Sequence, residues 1–114
     1  MRKFPFFFYR SGSGNEPVRE WLKGLGASDR KAIGDDIQTV EFGWPIGMPL
    51  CRQIKGRKGM WEVRASLSGG RIARVLVCFD DGRLVLLHGF NKKTGKTSIS
   101  DLDLADRRMK EVMK

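Results

Sequence analysis

The stretch "WEVRASLSGGRIARVLVCFDDGRLVLLHGF", residues 61–90, decides the fold because its apolar runs are separated by two turn sequences. In residues 61–67 every second side chain is apolar, which is the pattern of a strand with one buried face. Ser68-Gly69-Gly70 and Asp80-Asp81-Gly82 are typical of tight turns between neighbouring strands. We therefore predict a meander of three consecutive antiparallel strands in this part of the chain.

The segment before the meander predicts a strand followed by a helix. Residues 4–10 are rich in aromatic side chains and are expected to form the first strand. Asn15 is a candidate N-cap, Pro17 suits the first helical turn, and Gly26 is expected to end the helix. The apolar side chains of this helix recur at helical spacing: Val18, Trp21, Leu22 and Leu25.

Two more helices and one short strand complete the predicted elements. Ser28 is expected to cap a second helix that is over by residues 43–45, and a short strand is expected near residues 50–55. The second helix directs three apolar side chains to the core: Ile33, Ile37 and Val40. Ser100 and Asp103 resemble a capping box that opens a last helix.

This order of elements predicts an α+β domain that spans residues 1–114. We expect an N-terminal strand and helical hairpin, a curved antiparallel sheet and a C-terminal helix. We also expect the helices to pack against one face of the sheet, which would leave the other face for solvent or for function.

Positive charge is concentrated in one part of the chain. The protein has 22 Lys and Arg residues against 13 Asp and Glu residues, which gives a formal net charge of +9. Between residues 52 and 97 there are eleven basic residues and three acidic ones, Glu62, Asp80 and Asp81. Such a balance indicates a negatively charged partner and does not constrain the fold.

Several other kinds of chemistry are disfavoured by the residues present. Cys51 and Cys78 lie in apolar surroundings, and we expect both to be reduced core residues of a cytoplasmic protein. His88 is the single histidine, so a metal site is not expected, and no glycine-rich phosphate-binding loop or other cofactor motif is present. No segment has the run of apolar residues that a membrane span requires.

The remaining candidate is a basic patch on the sheet. Alternation places Arg64 and Arg74 in the middle of strands, where a guanidinium needs a partner. Lys55, Arg57 and Lys58 precede the first meander strand, and Lys92 and Lys93 follow the third. If these two loops lie at the same end of the sheet, their side chains surround a patch that suits phosphate groups.

Two segments resemble a known family. "IKGRKGMWEVRASLSGGRIARVLVCF", residues 54–79, and "GRLVLLHGFNKKTGKTSISDLDLADRRMKE", residues 82–111, are similar to the RelE/ParE superfamily of bacterial toxins. The resemblance is to the branch of phage-derived Gp49-like or HigB-like proteins, and it extends from residue 3 to residue 114. It implies the same order of elements that the periodicity predicts.

The resemblance also implies a function. Such proteins are toxins of type II toxin-antitoxin systems that cleave mRNA, usually in the ribosomal A site. The RNA 2′-hydroxyl attacks the adjacent phosphorus without a metal, which leaves a 2′,3′-cyclic phosphate. The implied partners are the ribosome, mRNA and a cognate antitoxin protein with a helix-turn-helix domain.

By the same resemblance, basic side chains carry the reaction. Arg64 would stabilise the phosphorane charge, and Lys55 or Lys58 would act as base or charge partner. Lys92 with Lys93 would hold the scissile region or neutralise the leaving side. Residues expected to bind RNA or to support the site are Arg57, Arg74 and His88. Some members of the family place a tyrosine near the C-terminus in the active site. It has no counterpart here, since Tyr9 is the single tyrosine.

Two alternatives to the ribonuclease remain at this stage. The superfamily also contains ParE-like gyrase poisons, in which the basic face is not catalytic. A relative that binds antitoxin or nucleic acid without cutting it would have the same composition and the same order of elements.

Overall fold

The computed structural model describes residues 5–43, 51–92 and 96–113. Phe4, residues 44–45, Leu50 and Lys93 belong to predicted features and lie outside these residues. The described elements, in chain order, are β1 (Phe6–Phe8), α1 (Pro17–Lys23), α2 (Ala27–Gly43), β2 (Cys51–Gln53), β3 (Met60–Ser66), β4 (Ile72–Asp80), β5 (Arg83–Lys92) and α3 (Ile99–Val112). The predicted α+β class and order of elements are confirmed.

The strands form a single sheet in the order β1-β5-β4-β3-β2. Strands β2 to β5 are antiparallel neighbours, so the predicted meander is confirmed. The turn between β4 and β5 places Asp81 at φ 49° and Gly82 at φ 75°, as a tight hairpin turn requires. Strand β1 adds to the sheet edge parallel to β5, with Phe6 opposite Leu84.

The sheet is covered by helices on both faces. Helices α1 and α2 cover one face, through a core that includes Val18, Ile33, Ile37, Val40, Val63, Ala65, Val75, Val77, Leu84 and Leu86. Helix α3 covers the opposite face, through a core that includes Tyr9, Met60, Leu76, Cys78, Val85, Leu87, Ala105 and Met109. The prediction that all helices lie on one face is therefore wrong. The reason is visible in β4, where residues 75–79 are apolar without interruption, as in a strand buried on both faces.

The N-caps of α1 and α3 differ from those predicted. Asn15 and Ser11 form a turn in which the Ser11 amide donates to the Asn15 carbonyl at 2.8 Å, so the N-cap of α1 is Glu16. The side chain of Ser98, not Ser100, caps α3 by accepting from the Asp101 amide at 3.2 Å. In both cases the predicted cap lies within two residues of the observed one. The local sequence does not determine a helix boundary more closely than that.

The remaining helix boundaries also differ from the prediction. Helix α1 ends at Lys23 with Gly24 as its C-cap, so Gly26 does not terminate it. The Gly26 carbonyl instead accepts from the Arg30 amide at 3.0 Å, which places the start of α2 before Ser28. The α2 residues predicted to face the core, Ile33, Ile37 and Val40, are all buried in it.

The two cysteines lie on opposite faces of the sheet. Cys51 belongs to the core under α1 and α2, whereas Cys78 belongs to the core under α3. Both are free and buried, which confirms the prediction of reduced core residues. Burial raises the pKa of the Cys51 thiol to about 11 and that of Cys78 to about 12, so both remain protonated and poorly reactive at neutral pH.

Gly89 permits the close packing of α1 on β5. A Cβ atom at this position would lie 2.3 Å from Cε3 of Trp21, a distance that requires the indole to move. We expect Gly89→Ala to lower the free energy of unfolding by about 1–3 kcal/mol, the usual cost of overpacking, measured by urea denaturation.

Gly34 on α2 provides the matched control, because a Cβ atom added there meets nothing within 4 Å. Gly34→Ala should raise stability by about 0.5–1 kcal/mol, since alanine is the better helix residue. Equal stabilities for the two variants would contradict the assigned contact between Gly89 and Trp21.

Among the described residues, no helix has the length and apolar character needed to cross a membrane.

Candidate functional site

Polar side chains from neighbouring strands share the sheet face that α3 covers. In the strand register Arg52 lies opposite Glu62, Glu62 opposite Leu76, and Arg64 opposite Arg74. Leu76 belongs to the core under α3. Paired residues on neighbouring strands, and residues two apart on one strand, share a face of the sheet, so these polar residues lie on the α3 face as well. Three strands thus bring three arginines and one carboxylate together beyond the end of the apolar core.

The carboxylate of Glu62 is the centre of this group. Glu62 is fully buried, and its Oε1 accepts hydrogen bonds from Nε of Arg64 at 3.0 Å and Nε of Arg52 at 3.2 Å. One carboxylate oxygen therefore holds two guanidinium groups that come from different strands.

The other oxygen of Glu62, Oε2, binds the segment that follows β5. The Thr97 hydroxyl donates to Glu62 Oε2, and Nη1 of Arg74 donates to Thr97 Oγ1 at 3.1 Å. Nη1 of Arg74 also lies 3.9 Å from Glu62 Oε2. We call Arg52, Glu62, Arg64, Arg74 and Thr97 the Glu62 cluster.

The electrostatics of the cluster favour an ionised Glu62. Burial by itself would raise its pKa, but hydrogen bonds from Thr97 and Arg64 and the charges of Arg52 and Arg74 outweigh burial, and the pKa lies below its usual range. Burial lowers the pKa of Arg74, although the nearby Glu62 opposes that shift. A carboxylate held in this way is a poor proton acceptor at neutral pH, so Glu62 is suited to positioning cations.

Arg52 and Arg64 differ from Arg74 in their access to solvent. Their side chains are 37% and 27% exposed, whereas that of Arg74 is 2% exposed. Arg52 and Thr97 lie in the wall of an open cleft whose other lining residues are Gln53, Ile54, Lys55, Lys96 and Leu102. Arg52 and Thr97 thus connect the cluster to a basic cleft, whereas Arg74 is buried.

The loop between β2 and β3 carries three of the predicted site residues. Lys55 and Lys58 are exposed and line a second opening beside the first one. Arg57 is directed to α3, where its guanidinium lies 2.7 Å from Asp103 and 3.8 Å from Asp106. In this structure Arg57 therefore fastens the loop to α3, while the two lysines face solvent.

His88 also contacts α3. Its Nε2 lies 2.7 Å from Oδ1 of Asp101, and its ring stacks on Phe90 with centroids 5.2 Å apart. Asp101 also accepts from the Ser98 hydroxyl at 2.7 Å, so His88 holds β5 against the N-terminus of α3. Lys92 is the last residue of β5, and Lys93 lies outside the described residues.

Sequence reasoning missed three members of the cluster as site residues: Arg52, Glu62 and Thr97. Alternation does place Glu62 on the same face as Arg64. An acidic residue among eleven basic ones between positions 52 and 97 could therefore have indicated that Glu62 pairs with arginines of the site. Thr97 gives no such signal, because its partner Glu62 is 35 residues away in the chain.

Within the described parts of the chain, no group of three or more His, Cys, Asp or Glu side chains is placed to hold a metal ion.

Comparison with known proteins identifies the family. Residues 20–110 match the family described as phage derived protein Gp49-like (DUF891), which covers most of the chain. The protein belongs to this family, which is related to the RelE/ParE toxin superfamily, and the resemblance inferred from the sequence is confirmed. A comparison with curated proteins found no match.

Proposed function

We propose that the protein is the toxin of a type II toxin-antitoxin pair and cleaves mRNA on the ribosome. The observation that carries the proposal is the pair of half-exposed arginines, Arg52 and Arg64, held by one buried carboxylate beside a basic cleft. Membership of a toxin-like family supports the biological class. The cluster supports phosphodiester chemistry, because forked guanidinium donors fit phosphate oxygens.

In the proposed reaction the RNA 2′-oxygen forms a bond to the adjacent phosphorus while the bond from phosphorus to the 5′-oxygen breaks. The products are a 2′,3′-cyclic phosphate and a 5′-hydroxyl. Arg64 stabilises the additional negative charge of the phosphorane through its Nη groups. Lys55 or Lys58 takes the proton of the 2′-hydroxyl or balances charge. Lys92 with Lys93 holds the scissile region or neutralises the leaving side, and the leaving 5′-oxygen takes a proton from water.

The residues facing away from the cleft have supporting roles in this proposal. Arg74 is buried and donates a hydrogen bond to Thr97. We therefore assign it to the support of Arg64, not to direct contact with RNA. Arg57 and His88 are paired with carboxylates of α3, and they set the position of the β2–β3 loop and of β5. The ribosome, mRNA and a helix-turn-helix antitoxin are the proposed partners.

Mapping of new mRNA 5′ ends after induced expression in bacteria tests the proposal. We expect cuts within translated regions, at a constant position relative to the reading frame, together with growth arrest. Growth arrest with intact mRNA and broken DNA would overturn the ribonuclease and indicate a gyrase poison. Normal growth without new ends, with the protein present in folded form, would also overturn it.

Salt dependence tests the basic surface as the contact with RNA. Binding of ribosomes or of a single-stranded RNA should weaken steeply as salt rises, because each phosphate contact releases counterions. For single strands the slope of log K against log salt is about −0.7 per phosphate contact. A flat response between low and physiological salt would contradict the proposed contact surface.

A further inference from the structure

We infer that Arg52 is a second phosphate-binding residue, which acts on the same phosphate as Arg64 and is positioned with it by Glu62. This inference rests on the proposed function of the site as one that binds RNA. Neither the family relationship nor the sequence pattern assigns a role to Arg52 or to Glu62.

Glu62 holds the two guanidinium groups in the same way. Both bond to Glu62 through Nε, at 3.2 Å from Arg52 and 3.0 Å from Arg64, and both bonds end on the same oxygen, Oε1. Among residues 5–43, 51–92 and 96–113, neither side chain has an Nη hydrogen bond to the protein. The Nη groups of both arginines are therefore available to an outside acceptor.

The Glu62 cluster has an excess of positive charge. Three arginines surround a single carboxylate, so the cluster keeps a net positive charge after its internal pairing. A phosphodiester brings one negative charge and two non-bridging oxygens, which accept several N–H donors at once. Glu62 bonds to the Nε atoms of Arg52 and Arg64, and the phosphate would bond to their Nη atoms. The ion pairs with Glu62 therefore need not break when phosphate binds.

Arg52 lies where the Glu62 cluster meets the cleft. Its side chain is more exposed than that of Arg64, and it lines the cleft that Lys55, Lys96 and Thr97 also line. Without Glu62, the neighbouring guanidinium groups of Arg52 and Arg64 would repel each other, because like charges that are partly buried are poorly screened. Glu62 is therefore a positioning residue for both arginines.

The experiment measures binding of a short single-stranded RNA by fluorescence anisotropy across a series of salt concentrations. Arg52→Ala should weaken binding by roughly tenfold or more, as expected for a lost charged hydrogen-bonding group. It should also reduce the salt slope by about 0.7, the value for one lost phosphate contact. Arg52→Lys should keep the slope and bind with intermediate affinity, because it retains the charge and loses the fork.

Arg19→Ala is the control with a matched loss of charge. Arg19 is 54% exposed on α1 and pairs with the neighbouring Glu16, away from the cleft. The inference is overturned if Arg52→Ala and Arg19→Ala bind RNA with the same affinity and slope, or if the wild type does not bind the RNA at low salt. Urea denaturation of each variant shows that the folded protein is being compared.

The binding experiment tests Arg52 separately from the proposed ribonuclease, because RNA binding is measured without ribosomes. If the Arg52→Ala slope falls as expected but expression in cells leaves mRNA intact, the phosphate site stands and the ribonuclease proposal fails. If mRNA is cut in cells while Arg52→Ala matches the Arg19→Ala control in both binding and cutting, the ribonuclease stands and the inference on Arg52 fails.

Discussion

Arg64→Ala is expected to reduce mRNA cleavage on the order of 10²–10³-fold, the usual cost of removing one preorganised donor to a transition-state oxyanion. The reason is geometric. Nε of Arg64 is held 3.0 Å from a fully buried carboxylate, so its Nη groups are already oriented when substrate arrives and need no rearrangement during the reaction.

The measurement is cleavage of a defined mRNA on purified translating ribosomes, with rates for wild type and variant at saturating protein. Arg64→Lys distinguishes charge from geometry, since lysine keeps the charge and cannot present two parallel donors. Arg19→Ala is again the control and should cut at the wild-type rate. A wild-type rate for Arg64→Ala would show that the reaction takes place elsewhere on the surface.

Glu62→Leu is expected to lower the free energy of unfolding by about 3–5 kcal/mol, as is typical when one partner of a buried ion pair is removed. The loss would remove a carboxylate that lies 3.9 Å from Nη1 of Arg74, whose side chain is 2% exposed, and would remove the acceptor of the Thr97 hydroxyl. Urea denaturation at neutral pH measures the effect.

The control is Asp35→Ala, which removes the carboxylate of an exposed pair with Lys31 on α2. An exposed pair of this kind contributes about 0–1 kcal/mol, so the control should unfold nearly as the wild type does. If Glu62→Leu were as stable as Asp35→Ala, Glu62 would not be the carboxylate that balances the buried arginine.

The same carboxylate predicts a dependence of stability on pH. The pKa of Glu62 is lowered in the folded protein, so its contribution is fully present above the unfolded value of about 4.3 and is lost as pH falls through the folded value. The stability difference between wild type and Glu62→Gln should therefore narrow as the solution is acidified below about pH 4. A difference that stays constant from neutral to acidic pH would contradict an ionised Glu62 in the folded state.

Much of the fold was predictable because its signals are local. The alternation in residues 61–67 and the turn at Asp80-Asp81-Gly82 depend on neighbours in sequence, and both appear in the structure. The apolar stripe of α2 at Ile33, Ile37 and Val40 is of the same kind. The mid-strand positions of Arg64 and Arg74 also followed from alternation, and the register places them opposite each other.

The orientation of His88 shows where alternation stops being reliable. The register between β4 and β5 shifts between Leu76 and Val77, which pair with His88 and Leu86 respectively. The irregularity leaves Leu87 without a paired residue on β4, so Leu87 and His88 both lie on the α3 side of the sheet. Strict alternation would have placed them on opposite faces.

By itself, the sequence determined the meander, the core faces of α1 and α2, the reduced state of the cysteines and the concentration of positive charge between residues 52 and 97. Each of these depends on side-chain chemistry or on a spacing of a few residues. Only the tertiary structure decided that β1 runs parallel to β5, that α3 covers the second face and that Thr97 meets Glu62. Those features depend on contacts between residues far apart in the chain, and no local period specifies which carboxylate a buried arginine reaches.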